Sequence, residues 1–218
     1  MTTIPLNKYA FIATHGVGKT ATASYMDFYF RQMSQIPELI PEVAREAKAK
    51  GLPINEKTTL RAQEAMQYLQ RGHEISAQER LLNGEIQHII CDRAVIDNYV
   101  YALYKFGQKA KDKMYDSVMQ WMQENPYKNI FKIPLWNEDK ELTDDGVRSL
   151  NKQFQIDIDT LLDDVLEESG IKYNIIPRGI YTIDTNANPD LQTANLRSYF
   201  DDELGIIRIP KKNKNNRF

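Results

Sequence analysis

The sequence predicts an α/β fold in which a mostly parallel sheet is covered by helices on both faces. Three observations carry that expectation. Short apolar runs, closed by proline or by a glycine-bearing turn, alternate with longer stretches whose apolar residues recur at spacings of three and four. Near the N-terminus a strand, a glycine-bearing loop and a helix follow one another, an order that cradles an anion. The 218 residues are 42% hydrophobic and 27% charged, enough for one compact core beneath an ordinary charged surface.

Each element has its own signal. Tyr9 to Ala13 is an apolar run and reads as a buried strand. Lys19 to Met33 reads as a helix, with Ala23, Met26, Phe30 and Met33 on one stripe. Leu39-Ile40 is a shorter strand stopped by Pro41. Glu56 to Gln70 places Leu60, Met66 and Leu69 near one helical face. Ile86 to Cys91 is a strand entering Asp92-Arg93. The helix after it turns Val95, Tyr99, Leu103 and Phe106 inward and ends at Gly107. Met114 to Gln123 is a further helix, and Asn129 to Ile133 a strand that Pro134 ends. Val147, Leu150, Phe154, Ile158, Leu161 and Val165 trace a long helical stripe toward Gly170. Lys172 to Ile176 is the last strand, closed by Pro177. Residues 1–205 are expected to form a single domain with a lid at about 136–150, and 206–218 a basic, poorly ordered tail.

Ala13-Thr-His-Gly16-Val-Gly18-Lys19-Thr20 matches the Walker A spacing of a P-loop, with alanine at the first glycine position, where a small residue suffices. Gly16 and Gly18 let backbone N–H groups turn toward phosphate oxygens with no Cβ in the way. The helix that follows presents its positive end to the same anion. Lys19 is expected on the β- and γ-phosphates of ATP, and the Thr20 hydroxyl on Mg²⁺. The nucleotide-binding stretch is His15, Gly16, Val17, Gly18, Lys19, Thr20 and Ala21. The motif leaves the His15 position free, so its side chain is expected to face solvent or to support the backbone.

Ligands of open α/β sheets bind beyond the carboxyl ends of the strands. The second strand ends in Pro41-Glu42-Val43-Ala44-Arg45-Glu46 and the third in Asp92-Arg93, so both acid-plus-arginine pairs belong on the rim that holds the loop. Phosphoryl transfer needs a carboxylate facing the attacking hydroxyl, another holding magnesium through water, and arginines that offset charge on the moving group. Glu42 suits the first role and Asp92 the second. Arg93 and Arg45 are candidates for substrate or phosphate contact. Surface ion pairs between helices are the alternative for each of these residues. Glu46 reads as a helix N-terminal charge or a supporting partner, and Asp97, one turn past Arg93, as a simple partner for it. Thr143 to Arg148 has two readings. It is either a lid that brings Arg148 to the transferring phosphate or a capping turn with Thr143 or Asp144 as N-cap.

GVGKT, PEVARE, CDRAVIDNY and DDGVR, followed by Phe154-Gln155, occur in one order. Together they resemble the NadR-like AAA_28 group of P-loop ATPases and kinases, and its nicotinamide riboside kinase domains in particular, from about Tyr9 to Pro177. The resemblance implies a three-layer α/β/α sandwich with a five-stranded parallel sheet in the order 2-3-1-4-5 and a helical lid. It also implies ATP, Mg²⁺ and a small hydroxyl-bearing acceptor, with Glu42, Arg45, Asp92, Arg93 and Arg148 facing acceptor and phosphates. No adenylyltransferase segment accompanies the loop, and nicotinamide riboside is one candidate acceptor among several.

Other classes are disfavoured. A net charge of −2 lacks the basic excess of a duplex-binding protein, although Lys211, Lys212, Lys214 and Arg217 in the tail keep a polynucleotide acceptor in view. His73-Glu74 lacks a second histidine at the zincin spacing. Trp121 reads as a core residue, while Trp136 keeps a ligand contact open. Cys91 is the only cysteine, Met1 to Lys8 has no apolar signal core, and no run approaches the ~20 apolar residues of a membrane span. These features read as cytoplasmic with no membrane partner. A homodimer is left open. The leading expectation is an ATP-dependent kinase of a nucleoside, nucleotide or similar small acceptor. A non-enzymatic ATP or GTP switch is the alternative, its GTP version weakened by the absence of an NKxD-type motif.

Overall fold

The computed structural model describes residues 6–135, 147, 149–177 and 189–205. Trp136, Thr143 to Gly146, Arg148 and the basic tail lie outside the described residues. The chain forms two compact units, Met1–Ile176 and Pro177–Phe218.

The first unit is built on a sheet of five strands: β1 (Lys8–Ile12), β2 (Pro37–Ile40), β3 (His88–Asp92), β4 (Asn129–Lys132) and β5 (Asn174–Ile175). Their order is β2-β3-β1-β4-β5 and every pairing is parallel. Between them run α1 (Lys19–Gln32), α2 (Val43–Ala49), α3 (Leu60–Leu82), α4 (Val95–Phe106), α5 (Gln108–Glu124) and α6 (Lys152–Ser169). The second unit contains α7 (Pro189–Glu203). Fold class and strand order agree with the expectation.

The pleat of β1 divides the core. Ala10 and Ile12 join a cluster with Val95, Tyr99, Ile158 and Leu162 from α4 and α6. Tyr9 turns the other way, onto Phe30 of α1 at 5.6 Å between ring centroids. Phe11 stacks on Phe131 at 5.3 Å. Helices thus cover both faces, as a sheet buried on both sides requires.

Two helices depart from their sequence signals. The stripe from Val147 to Val165 starts as helix only at Lys152, because Asn151 Oδ1 accepts the Phe154 N–H at 3.1 Å and caps the helix there. Leu150, read as part of the stripe, is exposed. α3 runs on to Leu82, well past Gln70. Its buried face includes Gln63, Gln67, Gln70, Glu74 and Gln78, so an apolar-periodicity reading stops short. Within that polar face the one carboxylate, Glu74, is saturated with donors. Lys8 Nζ donates to Oε2 at 2.8 Å and Trp121 Nε1 at 3.2 Å. Tyr127 Oη donates to Oε1 at 2.6 Å and Gln70 Nε2 at 3.0 Å. Trp121 therefore packs at the core edge, as expected, and also holds a buried charge.

Lys8 and Glu74 are both fully buried. Removing one partner strands the other charge, so Glu74→Ala is expected to cost about 3–5 kcal/mol in urea denaturation.

Candidate functional site

β1 ends at Ile12, and the chain turns through a loop that only glycine makes easily. Gly16 has φ 77° and Gly18 φ 95°, both in the left-handed region that L side chains avoid. α1 starts at once at Lys19, so its unbonded N-terminal amides face the loop. Lys19 Nζ donates to the Thr14 carbonyl at 3.0 Å. Burial lowers the Lys19 pKa and the Arg93 charge acts in the same direction, while Glu42, Asp92 and Asp97 oppose them.

α6 grips the loop from the side. Gln155 Nε2 donates to the His15 carbonyl at 2.6 Å, and Thr14 Oγ1 donates to the Gln155 carbonyl at 2.9 Å. The His15 ring is buried against Phe154, with Nδ1 3.3 Å from Tyr101 Oη. Of the two expectations for the His15 side chain, solvent exposure does not hold: its ring packs on Phe154 and Tyr101. Val17 is half-buried and is not among the residues walling the cavity described below, whereas Gly16, Gly18, Lys19, Thr20 and Ala21 are.

The ends of β2 and β3 bring the predicted carboxylates to this loop. Parallel register sets Phe11 beside Asp92 and Ile40 beside Cys91. Thr20 Oγ1 donates to Asp92 Oδ2 at 2.5 Å, and Asp92 Oδ1 is buried with no hydrogen-bond partner among the described residues. A hydroxyl beside a carboxylate with an unused oxygen fits a magnesium ion that keeps most of its water and borrows phosphate oxygens. Among the described residues there is no cluster of three or more His, Cys, Asp or Glu side chains for an all-protein metal cage.

Arg93 occupies the centre. Nε donates to Glu42 Oε1 at 2.5 Å, and Nη1 to Asp97 Oδ1 at 3.0 Å and to the Ala13 carbonyl at 3.3 Å. The guanidinium also lies 5.2 Å from the Tyr101 ring. Its backbone φ of 106° is rare for a residue with a Cβ and costs about 1–3 kcal/mol, so it persists only where surroundings impose it. Arg93 thus pairs with Asp97, as expected, and with Glu42, inside the site rather than on the surface. Burial pushes the Glu42 pKa up, but the neighbouring Arg93 and Lys19 charges outweigh it and hold the carboxyl down at about 2. Asp97, buried more completely, has its pKa raised despite Arg93. Arg45 lines the same cavity. Glu46 faces elsewhere, in the first turn of α2 with one oxygen 2.7 Å from His73 Nε2, in keeping with a helix N-terminal charge.

A cavity of about 370 Å³ is walled by the loop, by Glu42 and Arg45, and by Ile54, Asn55, Gln63, Met66, Asn98, Tyr101 and Val147. Asn55 Nδ2 donates to the Val147 carbonyl at 2.5 Å, and Lys105 Nζ to the Thr58 carbonyl at 2.7 Å, closing one side. Gln63 Oε1 and Asn98 Nδ2 are buried without hydrogen-bond partners among the described residues. The sequence reading singles out neither Gln63, Asn98 nor Tyr101. Helical amides and tyrosines carry no motif. The lid candidate Arg148 lies outside the described residues, although its neighbours Val147 and Ser149 are tied to Asn55 and Glu56.

A parallel 2-3-1-4-5 sheet whose first strand opens through Gly16 and Gly18 onto a helix headed by Lys19-Thr20 defines the P-loop α/β class. Within that class the chain belongs to the AAA_28 family of AAA domains, whose pattern matches residues 8–182. Similar solved structures include NadR protein in complex with NAD and AMP-PNP (16% identity, TM-score 0.65, covering 95% of this chain and 51% of that one). NadR protein in complex with NR is alike at 14% identity and TM-score 0.66, covering 95% and 53%. The chain thus spans about half the length of the NadR proteins it matches. Deoxyadenosine kinase from M. mycoides, with products dCMP and a flexible dCDP bound, matches at 11% identity and TM-score 0.55, covering 92% and 100%. No curated protein matches the sequence.

Because the folded-state pKa of Glu42 lies below its ordinary 4.5, its stabilising contribution is present above pH 4.5 and is lost as pH falls through about 2. Glu42→Gln should therefore lower stability near neutrality by on the order of 2–3 kcal/mol. That deficit should shrink as acid is added, measured by urea denaturation between pH 7 and pH 2.

Proposed function

We propose that the protein is an ATP- and Mg²⁺-dependent phosphotransferase acting on a nucleoside, nucleotide or related small hydroxyl-bearing acceptor. The observation that carries this reading is the continuity of the cavity. One space is walled by the phosphate loop, by Glu42 and Arg45, and by Gln63 and Asn98. A protein that only binds nucleotide has no need of a carboxylate, an arginine and unpaired amides walling the same space as its phosphate loop.

In this reading the amides of the Gly16–Gly18 loop and the head of α1 hold the triphosphate, with Lys19 on its terminal groups. Magnesium, when bound near Thr20 and Asp92, neutralises charge on the phosphate oxygens. Glu42 receives the acceptor hydroxyl. With its carboxyl held at about pKa 2 it is a weak base, so its contribution is to orient the hydroxyl rather than to strip its proton early. That suits a loose transition state in which the attacking oxygen keeps its proton until late. Arg93 keeps Glu42 ionised and aimed, and Arg45 and Arg148 are assigned to charge on the acceptor or the moving phosphoryl group. The small molecules bound to the structural neighbours, NR, dCMP and dCDP, support an acceptor of nucleoside size. Gln63 and Asn98, with unused polar atoms in the cavity wall, are the groups available to hydrogen-bond it.

Purified protein with ATP, Mg²⁺ and a panel of nucleosides and nucleotides should form ADP and a phosphorylated acceptor together, detected by mass spectrometry. Lys19→Ala and Glu42→Gln should each lower kcat by about 10²-fold or more. Gln63→Leu should raise the KM of the acceptor about tenfold with the KM of ATP unchanged. Tight nucleotide binding without turnover, indifferent to Glu42→Ala, would favour the switch reading instead.

A further inference from the structure

The contacts of Arg93 explain where its guanidinium goes but not what keeps its backbone in the left-handed region. Gln70, on the buried face of α3, does. Its Nε2 donates to Glu74 Oε1 at 3.0 Å and to the Arg93 carbonyl at 3.2 Å. Both partners are acceptors only, which leaves no choice in the orientation of the amide. Each Glu74 oxygen already accepts two donors, Gln70 and Tyr127 on one, Lys8 and Trp121 on the other. One Gln70 proton is thus anchored to a carboxylate that cannot shift, and the other points at the Arg93 carbonyl. Gln70 is fully buried, so water does not compete for that proton.

We propose that Gln70 is a positioning residue of the transfer site: by holding the Arg93 carbonyl it fixes the peptide plane after Arg93, and with it the strained backbone that turns the guanidinium onto Glu42. The chain of contacts runs from the Lys8–Glu74 pair in the core, through Gln70, to the Arg93–Glu42 pair at the cavity. Gln70 touches no residue of the phosphate loop through these bonds and does not line the cavity. Its removal therefore acts on the aim of Arg93 and Glu42 while triphosphate binding stays intact. The kinetic part of this inference rests on the phosphotransferase reading, whereas the structural part stands without it.

The test is Gln70→Met, which keeps the volume and removes the donor, in the full chain. Exchange of the Arg93 Nε–H, followed by ¹⁵N NMR, should quicken about tenfold, the scale of one lost buried hydrogen bond. ATP affinity by calorimetry should be unchanged, and kcat should fall by about ten- to a hundredfold, as small misplacements at a reacting centre do. An Arg93 signal with wild-type exchange overturns the inference whatever the activity. If Gln70→Met does not fold, Gln70→Ala is judged by the same signal. Loss of folding in both variants also overturns it, because Gln70 would then serve the core rather than the site. Wild-type protein that transfers no phosphoryl group to any acceptor sinks the proposed function, while the Arg93 signal still decides the part assigned to Gln70.

Discussion

The buried guanidinium of Arg93 is the point where three strand ends are tied together. It reaches Glu42 beyond β2, the Ala13 carbonyl beyond β1 and Asp97 at the head of α4, from its own place beyond β3. A cation buried this deeply is tolerable only when its donors are met by charge and its field is used. Here two carboxylates meet it, and it sets their behaviour in turn. Glu42 stays ionised in the wall of the cavity because Arg93 and Lys19 face it. The spacing between phosphate loop and candidate acceptor site is therefore an electrostatic property of the rim as much as a property of the sheet.

The sheet makes this rim possible and the helices make it rigid. Parallel strands bring all five carboxyl ends to one edge, and the register of β1 with β3 sets Asp92 within reach of Thr20. α6 pins the loop through Gln155, and α3 braces the rim from below with a buried polar face. That face would be expensive if any carboxylate in it lacked donors. The saturated Glu74 avoids that expense for the carboxylate, while amide atoms of Gln63, Gln67, Gln70 and Gln78 stay unpaired among the described residues. Polarity in the core thus extends continuously to the site, so that core and site share partners.

The sequence was most informative where structure is local. The apolar run Tyr9–Ala13, the GVGKT loop and Pro41 after Leu39-Ile40 each announce an element through residues next to one another. Lys19, Thr20, Glu42, Asp92 and Arg93 were readable because a strand end followed by an acid or a basic residue places that residue on the ligand edge. Contacts made across the chain were not readable. Nothing in the sequence joins Lys8 to Glu74, Gln155 to His15 or Gln70 to Arg93, since glutamine in a helix looks like surface. α2 was missed because Val43–Ala49 is short and offers only Val43 and Ala47 to the core. α7 was missed for want of a clear apolar stripe, and the far half of α3 because its inward residues are mostly glutamine and glutamate.

The claim on which the account stands is spatial: a triphosphate seated on the loop must present its last phosphorus to Glu42 across a gap wide enough for one hydroxyl. A crystal structure with a non-hydrolysable ATP analogue, magnesium and an acceptor measures that directly. The account predicts an acceptor oxygen between the Glu42 carboxylate and the γ-phosphorus, about 3–3.5 Å from the latter. A triphosphate bound away from the Gly16–Gly18 amides, or a terminal phosphate facing away from Glu42, would contradict it.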